Sequence, residues 1–182
     1  MIIDGVLADE DLDAISRAVA VLAFEDQDLG SSHLRRRQRA DIDSTALATR
    51  IWTRIELVLP EPALWFDDEH PPPDLDPSID AWSWVGLNPR MRFYRYNLGA
   101  EFAVHVDEPW WPDEGHRTLL TVLAYLPCGG CEGGETVVGD ETVAAVDGRV
   151  AIFDHRVPHS GRPVERGAKL VVRSDVIAGI DL

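Results

Sequence analysis

Two stretches near the start of the chain carry apolar side chains at helical spacing. In residues 9–24 and 44–59 an apolar residue recurs every three or four positions, which is typical of an amphipathic helix. These positions are Leu12, Ile15, Val19 and Leu22 in the first stretch, and Leu47, Ile51, Ile55 and Val58 in the second. Asp9 is a candidate N-cap for the first helix, and Asp43 or Ser44 for the second. We therefore predict two helices, each packing one apolar stripe against a core.

Two other segments show no periodic pattern. Residues 29–39 are polar and strongly basic, and residues 60–80 contain six prolines and many acidic side chains. So many prolines exclude a regular helix or strand, because each removes a backbone donor and fixes φ. We predict irregular loops in both segments. Since both are long for connections in a small protein, they are candidates for a lid over a binding site.

After Trp82 the pattern changes to short strands separated by turn signals. The candidate strands are Arg90–Asn97, Glu101–Val106, Arg117–Leu126, Thr136–Val138, Thr142–Val146, Arg149–Phe153 and Lys169–Ile177. Asp147-Gly148 is a signal for a hairpin turn. Helices followed by strands indicate an α+β chain that is mainly β. We predict a double-stranded β-helix, or jelly roll, buttressed by N-terminal helices.

Length, charge and composition limit the possible functions. A chain of 182 residues suits a single domain, which we divide into helical support (1–60), a loop (60–80) and a jelly-roll core (82–178). The net charge of −15 disfavours nucleic acid as a partner, because phosphates need a basic surface. No apolar run approaches a membrane span, and the N-terminus lacks the regions of a signal peptide. We expect a cytoplasmic protein with no membrane partner, and leave the oligomeric state open.

The two cysteines form the motif Cys128-Gly-Gly-Cys131. One C-x-x-C supplies too few ligands for a zinc site. Redox motifs of the thioredoxin type open a helix, whereas this one lies among glycines. We expect two free thiols, with a reversible disulfide as the alternative.

Three residues are candidate metal ligands. His105 and Asp107 alternate with Val106, so in an extended chain their side chains point the same way and can bind one metal. His159 lies 52 positions beyond Asp107, and His155 is an alternative to it. Two histidines and one carboxylate, with open positions opposite, form the site of the non-haem Fe(II) oxygenases. On its own, however, H-x-D occurs by chance in many proteins.

The only lysine of the chain, Lys169, lies ten residues after His159. A buried lysine can hold a carboxylate as a compact point charge, so Lys169 is a candidate anchor for an oxo-acid cosubstrate. On a strand Lys169 and Arg173 project to the same side about 13 Å apart, which is too far to share one carboxylate equally. The alternative role for Arg173 is a salt bridge, with Asp175 as the candidate partner.

Four segments together resemble the 2-oxoglutarate/Fe(II) dioxygenases of the prolyl 4-hydroxylase type. The segments are Tyr96-Asn-Leu-Gly-Ala-Glu-Phe-Ala-Val-His105-Val-Asp107, then Thr121-Val-Leu-Ala-Tyr125-Leu with Gly133-Gly-Glu-Thr136, then His159 to Lys169 with its intervening Gly161 and Pro163, and finally Arg173-Ser-Asp175. The likeness is dense from about residue 86 to 177 and looser over the two helices.

The resemblance implies a role for each matching residue. His105, Asp107 and His159 would ligate Fe(II), and Lys169 would bind the C5 carboxylate of 2-oxoglutarate. Tyr125 would hydrogen-bond that carboxylate, and Tyr96 is a further contact. Thr136 is a candidate for the pocket lining, and Arg173 is the rival anchor for the cosubstrate.

The implied reaction is hydroxylation of an unactivated C–H bond of a small molecule, amino acid or peptide. It consumes O2 and 2-oxoglutarate and releases succinate and CO2. The alternatives are a protein prolyl or other side-chain hydroxylase with a sensing role, and a catalytically silent jelly-roll binding module. The intact triad and lysine argue against the module. The short chain, without an added peptide-binding domain, favours a free small substrate.

Overall fold

A large antiparallel sheet forms the centre of the computed structural model, which describes residues 1–28, 36–66 and 82–180. The helices are α1 (Asp9–Val19), α2 (Thr45–Ile55) and α3 (Pro62–Trp65). The strands are β1 (Ile2–Ile3), β2 (Glu25–Asp28), β3 (Arg36–Asp43), β4 (Trp82–Leu87), β5 (Arg90–Tyr96), β6 (Phe102–His105), β7 (His116–Leu126), β8 (Cys131–Gly133), β9 (Thr136–Val138), β10 (Glu141–Val143), β11 (Val150–Asp154), β12 (His159–Gly161), β13 (Val164–Gly167) and β14 (Lys169–Ile180).

The strands form two main sheets. The major sheet has the order β1-β11-β7-β14-β5-β3-β2, with β4 also paired to β14, and the minor sheet has the order β10-β9-β12-β6. Strands β8 and β13 pair separately. The chain crosses between the sheets, since β9 and β10 lie in the minor sheet and β11 in the major one. This arrangement confirms the predicted double-stranded β-helix supported by helices.

Two apolar clusters lie on opposite faces of the major sheet. Leu170, Val172 and Val176 of β14 belong to the cluster that also contains the buried side chains of α1 and α2. Val171, one residue along the same strand, belongs to the cluster between the two sheets. Successive side chains of a strand point to opposite faces, so β14 separates the helical support from the interior of the jelly roll. The functional cavity opens on the second face.

The helices are shorter than the apolar pattern suggested. Helix α1 ends at Val19, so Leu22 follows it, and α2 ends at Ile55, so Val58 follows it. Ser44 is the N-cap of α2, because its hydroxyl accepts a hydrogen bond from the backbone N–H of Leu47. The predicted cap Asp9 is instead the first residue of α1.

The two helices are joined by a buried acid. The Asp11 carboxylate accepts hydrogen bonds from Arg50 and Arg54 on α2, both at 2.9 Å. It also accepts from the backbone N–H of Ala8, at the start of its own helix. Asp11 is almost completely buried, so these donors replace the water that the carboxylate loses.

The structure corrects three of the sequence predictions. The first 60 residues are not helical support alone, because β1, β2 and β3 belong to the major sheet. Residues 36–39 are part of β3 rather than of a loop, and α3 lies inside the segment 60–80. Asp147-Gly148 forms a turn, but not a hairpin, since β10 pairs with β9 and β11 pairs with β7. The rest of the predicted loops, residues 29–35 and 67–80, lies outside the described residues.

Candidate active site

The three predicted metal ligands meet where two strands of the minor sheet pair. His105 ends β6 and His159 begins β12, and the two are direct partners across the antiparallel pair. Asp107 follows two residues after His105. One ligand atom from each of the three side chains lies within 4.8 Å of the others. Among the described residues this is the one group of acidic, histidine or cysteine side chains placed to hold a metal ion.

Hydrogen bonds to the backbone set the orientation of both imidazole rings. Nδ1 of His105 lies 3.0 Å from the carbonyl oxygen of Ala103, and Nδ1 of His159 lies 3.1 Å from that of Val157. A carbonyl only accepts, so each Nδ1 carries the proton and donates. Each Nε2 is therefore left with its lone pair, directed towards Asp107 at 3.9 Å and 3.5 Å. Such second partners typically fix the tautomer of metal-binding histidines.

Burial keeps both rings neutral. It lowers the pKa of His105 to about 4, with a further contribution from the neighbouring His159. Burial is also the largest cause that lowers the pKa of His159. Only neutral imidazole binds a metal. The pair is thus in the ligating form at neutral pH, and the donor set fits Fe(II).

Each oxygen of the Asp107 carboxylate has a partner of its own. Thr121 donates its hydroxyl to Oδ2 at 2.6 Å, and Nη1 of Arg173 lies 3.1 Å from Oδ1. Burial opposes ionisation of this carboxyl, but the charge of Arg173 and the hydrogen bond from Thr121 outweigh it and lower the pKa of Asp107. The carboxylate is therefore ionised and held in one orientation.

His155 supports the site instead of joining the ligand cluster. Its Nδ1 lies 2.8 Å from the hydroxyl of Thr121, which itself donates to Asp107. Its backbone carbonyl accepts the N–H of Asp107 at 2.9 Å. His155 is fully buried, and burial lowers the pKa of its imidazole. The geometry favours His159 over His155 as the third ligand.

The only lysine is buried beside these ligands. Nζ of Lys169 donates to the carbonyl oxygen of Gly134 at 2.7 Å and to the hydroxyl of Thr136 at 3.3 Å. No described carboxylate lies within ion-pair distance of it, and burial lowers the pKa of Lys169 to about 8. A buried ammonium without a counter-charge is costly unless an anion binds there. Lys169 therefore fits the carboxylate of an acidic cosubstrate.

The two tyrosines differ in their access to the cavity. Tyr96 lines the cavity, and its ring centroid lies 4.9 Å from Nζ of Lys169. Tyr125 is buried behind the lining, and its hydroxyl donates to Thr136 at 2.7 Å. Thr136 thus stands between Tyr125 and Lys169 and faces the cavity in place of Tyr125. Burial raises the pKa of Tyr125 to about 12, so the phenol stays protonated.

Arg173 is engaged within the protein. Besides Asp107, its guanidinium contacts Oδ1 of Asp175 at 2.9 Å, which is the salt bridge suggested by the sequence. Asp175 also binds Arg92 at 2.8 Å. Arg173 lines the cavity at the Asp107 end, whereas Lys169 lies four residues along the same strand.

One cavity of about 110 Å³ is lined by the three candidate ligands together with Lys169 and Arg173. Its lining is Arg37, Tyr94, Tyr96, Phe102, His105, Asp107, Leu123, Thr136, His159, Ser160, Gly161, Lys169, Val171 and Arg173. The cavity therefore combines a metal-binding corner, a buried cation and apolar walls. Such a site can hold a metal and a dicarboxylate side by side and limit the access of water.

Sequence reasoning missed Arg37 and Thr121 as site residues. Arg37 fell in a segment predicted to be a loop, because β3 is too polar to show a strand pattern. Thr121 belonged to a recognised motif, but no role was assigned to it. A hydroxyl that supports a metal ligand from behind has no characteristic spacing in the sequence. The two cysteines are free thiols, as expected.

A double-stranded β-helix that presents two histidines and a carboxylate is an architecture suited to non-haem iron oxygenases. The sequence model of the 2OG-Fe(II) oxygenase superfamily matches residues 91–174 of the chain. This range contains all three candidate ligands and the lysine. The match covers 84 of the 182 residues, and this part of the chain is similar to that superfamily. Members of that superfamily use Fe(II), 2-oxoglutarate and O2, and the His105–Asp107–His159 cluster of this chain is a donor set that suits such a metal.

Solved structures with the same fold cover nearly the whole chain. The viral collagen prolyl hydroxylase of Paramecium bursaria Chlorella virus-1 has a TM-score of 0.58 at 19% identity, covering 99% of this chain and 96% of its own. A Pseudomonas putida prolyl-4-hydroxylase has a TM-score of 0.61 at 16% identity, covering 97% and 91%. A Trichoplax adhaerens prolyl hydroxylase, solved with a peptide fragment of the hypoxia inducible factor oxygen degradation domain, has a TM-score of 0.60 at 14% identity, covering 97% and 82%.

No curated protein sequence matches the chain. Within the described residues, the helices are too short or too polar to cross a membrane. The cytoplasmic location stays a prediction.

Proposed function

We propose that the protein hydroxylates an unactivated C–H bond of a small molecule, with release of succinate and CO2. The observation that carries this proposal is the joint presence, in one cavity, of the His105–Asp107–His159 cluster and the buried Lys169, which has no carboxylate partner among the described residues. The cluster suits Fe(II), and Lys169 suits the far carboxylate of 2-oxoglutarate. A histidine–aspartate cluster alone would suit several metals, and a buried lysine alone would suit many anions, but together they match both halves of the cofactor set.

In this proposal His105 and His159 bind the iron through Nε2, and Asp107 binds it through its carboxylate. Thr121 and Arg173 each hold one oxygen of Asp107, so the carboxylate stays oriented while ligands exchange. His155 orients Thr121 from behind. Mutation of a residue that supports a metal ligand typically lowers metal affinity or activity by about ten- to a hundred-fold.

Lys169 binds the C5 carboxylate of 2-oxoglutarate at the other end of the cavity. Thr136 adds its hydroxyl to the same corner, and Tyr125 keeps that hydroxyl oriented. Tyr96 packs its ring below the ammonium, a contact that favours the cation. The incoming carboxylate replaces the water lost by Lys169 and raises its pKa again, so binding favours the charged form.

With both cofactors bound, the iron and 2-oxoglutarate supply the oxidising chemistry, in which one oxygen atom of O2 enters the substrate and the other enters succinate. The protein positions the groups and keeps water out. Phe102, Leu123 and Val171 give the cavity apolar walls. A dry wall protects a reactive site from side reactions with solvent.

A screen of small molecules by mass spectrometry tests this proposal. A substrate should gain one oxygen atom, with succinate formed in equal amount, and only when Fe(II) and 2-oxoglutarate are both present. His159→Ala protein is the matched control and should give neither product. Failure of the wild-type protein to turn over 2-oxoglutarate, with or without a candidate substrate, would favour the silent binding module.

A protein prolyl hydroxylase is the second candidate, because structural neighbours include prolyl hydroxylases and one of them was solved with a peptide fragment. Proline-containing peptides with blocked termini separate the two candidates. Oxidation of such peptides in preference to free amino acids would support a peptide-bound substrate.

A further inference from the structure

Arg37 lies at the junction of the active-site cavity and a neighbouring groove. It lines both the cavity that contains the metal ligands and an adjacent groove of about 420 Å³. Its guanidinium lies between two aromatic rings, 3.8 Å from the centroid of Tyr94 and 3.9 Å from that of Phe102. Its Nε donates to the side-chain oxygen of Gln27 at 3.2 Å. The side chain is therefore held in place before any substrate arrives.

Within the part of the chain that the structure describes, no carboxylate lies within ion-pair distance of Arg37. The contrast with its neighbour is close, because Arg39 lies on the same face of β3 and pairs with Asp41. Aromatic faces stabilise the cation at Arg37 without neutralising it.

Among the described residues, the charges of the assembled site leave Arg37 without a counter-charge. In the proposed function, the two positive charges of iron and that of Lys169 cancel the charges of Asp107 and of 2-oxoglutarate. Arg173 is paired with Asp175. Arg37 then remains a cation at the entrance, presented to whatever enters from the groove. An anionic substrate would balance it, and a neutral one would leave it uncompensated.

The groove itself is polar. Its lining includes the side chains of Gln27, Gln38, Arg95 and Asn97, together with Asp26, whose carboxylate accepts a hydrogen bond from Gln38 at 3.0 Å. Only Leu98 and Ala100 add apolar contact apart from glycine. Amides and guanidinium groups there can donate to a second polar group of a small molecule. A guanidinium binds a carboxylate through two parallel hydrogen bonds, which fixes orientation as well as charge.

We propose that Arg37 binds the carboxylate of a free small organic acid, such as an amino acid, and so selects the substrate. This inference rests on the proposed function. It narrows the substrate class to molecules with an ionised carboxylate, and it excludes neutral interior residues of a peptide such as proline, whose main-chain carboxyl groups are in amide bonds. Arg37 is a specificity residue in this account, since it contacts substrate and not the iron.

A binding measurement tests the proposal without turnover. Protein loaded with redox-inactive Zn(II) and saturated with 2-oxoglutarate is titrated with acetate or with acetamide at constant ionic strength. Arginine Nε–H signals are followed by NMR, and the Arg37 signal is assigned from its absence in Arg37→Gln. Acetate should shift this signal saturably, and acetamide should not. An Arg37 signal that does not respond to acetate would overturn the proposal.

A turnover measurement gives the size of the effect. Small acids and their carboxamides are screened as matched pairs, and oxidation should occur with the acids. Arg37→Gln should raise KM for the best acid by about ten- to a hundred-fold, the loss typical of one charge-assisted contact. Arg37→Lys should restore part of the affinity for the acid. Arg39→Gln, on the same strand but already paired with Asp41, should behave like the wild type.

Two results would contradict the assignment of Arg37 while leaving the proposed function intact. One is oxidation of carboxamides or end-blocked peptides as readily as of free acids. The other is a weaker affinity of Arg37→Gln for 2-oxoglutarate itself, which would make Arg37 a cosubstrate residue. By contrast, a wild-type protein that never consumes 2-oxoglutarate would reject the proposed function, whatever the acetate titration shows.

Discussion

Two cations on one strand, Lys169 and Arg173, have opposite electrostatic surroundings. Arg173 contacts the carboxylates of both Asp107 and Asp175. Lys169 donates hydrogen bonds to a carbonyl and a hydroxyl and has no carboxylate partner among the described residues, and burial lowers its pKa to about 8. Arg173 therefore serves the architecture of the metal corner, while Lys169 is prepared for a ligand from outside. A charge that is already balanced holds a site together, and a charge without a counter-charge marks where an anion binds.

The same distinction separates Arg37 from Arg39 at the entrance. In each pair the two residues share a strand and a positive charge, and among the described residues one has a carboxylate partner while the other has none. At these positions, the presence or absence of a carboxylate partner is a better guide to the proposed role of a cation than its residue type.

The largest expected effect lies at the metal corner. His159→Ala should weaken metal binding by more than about a hundredfold, because loss of a ligand exceeds the usual effect of residues behind it. His155→Ala should keep the metal with a loss of about tenfold at most, since His155 acts only through Thr121. Iron content after desalting, together with Zn(II) affinity, measures both variants. Retention of metal by His159→Ala and its loss in His155→Ala would reverse the assignment of the third ligand.

Removal of Arg173 should lower the stability of the fold more than it weakens cosubstrate binding. Arg173→Gln leaves two buried carboxylates close together with less neutralisation, and breaking a buried pair typically costs about 3–5 kcal/mol. Urea denaturation of the metal-free protein measures this loss. Asp41→Asn, which weakens more exposed pairs with Arg39 and Arg90, is the control and should cost about 1 kcal/mol or less. Equal losses in the two variants would mean that Arg173 is no more structural than a surface arginine.

Lys169 should show the opposite behaviour, with a gain in stability on its removal. In cosubstrate-free protein, Lys169→Met replaces an unpaired buried ammonium, and the lowering of the Lys169 pKa from 10.5 to about 8 corresponds to about 3 kcal/mol. Loss of two hydrogen bonds offsets part of this gain. The variant should nevertheless be more stable than the wild type at pH 7 and gain no stability from 2-oxoglutarate.

The sign of the pH dependence follows from the lowered pKa of Lys169. Above pH 10.5 the amine is neutral in both the folded and the unfolded chain, so it costs nothing. As the pH falls towards about 8, the unfolded chain takes up the proton first and the folded protein loses stability. The advantage of Lys169→Met should therefore be greatest below about pH 8 and shrink as the pH rises. If the stability difference between Lys169→Met and the wild type stayed constant between about pH 7 and about pH 10, burial would not destabilise the ammonium of Lys169.

The smallest effect concerns metal binding in mild acid. Burial lowers the pKa of His105 to about 4 and lowers that of His159 as well, so both rings stay neutral below the usual range. Zn(II) affinity at about pH 5.5 should remain within about tenfold of its value at about pH 7.5. Two histidines with ordinary pKa values near about 6.5 would lose up to about a hundredfold over that range. A loss of that size would place the histidines in contact with solvent.

The sequence was sufficient to predict the fold class and the position of the candidate ligands. Strand alternation placed His105 and Asp107 on one side, and the spacing of His159, Gly161 and Lys169 set the register of the pocket. Apolar periodicity located both helices, with ends displaced by a few residues. Leu22 packs on the core without helical geometry, and Val58 is an exposed apolar residue beyond the end of α2.

Other features depended on contacts that no local pattern records. Strand β3 is polar along most of its length, so it was predicted as a loop and Arg37 was overlooked. The turn at Asp147-Gly148 connects strands of two different sheets and not two paired strands. The residue types of the turn do not distinguish these two cases. The sequence did not show which of Arg173 and Lys169 is free to bind an anion. This depends on where Asp107 and Asp175 lie relative to the two cations, which only the tertiary structure shows.

A titration of 2-oxoglutarate into Fe(II)-loaded protein without oxygen tests the central claim most directly. Lys169→Ala should weaken cosubstrate binding by about ten- to a hundred-fold, as expected for one charge-assisted contact, and should keep its iron. Lys169→Arg should recover only part of the affinity, because a planar guanidinium is bulkier and differently directed. Arg173→Gln, measured at saturating iron, should bind 2-oxoglutarate within about threefold of the wild type, well below the loss of a full charge-assisted contact. Severe loss of cosubstrate binding in Arg173→Gln, with normal binding in Lys169→Ala, would contradict the account.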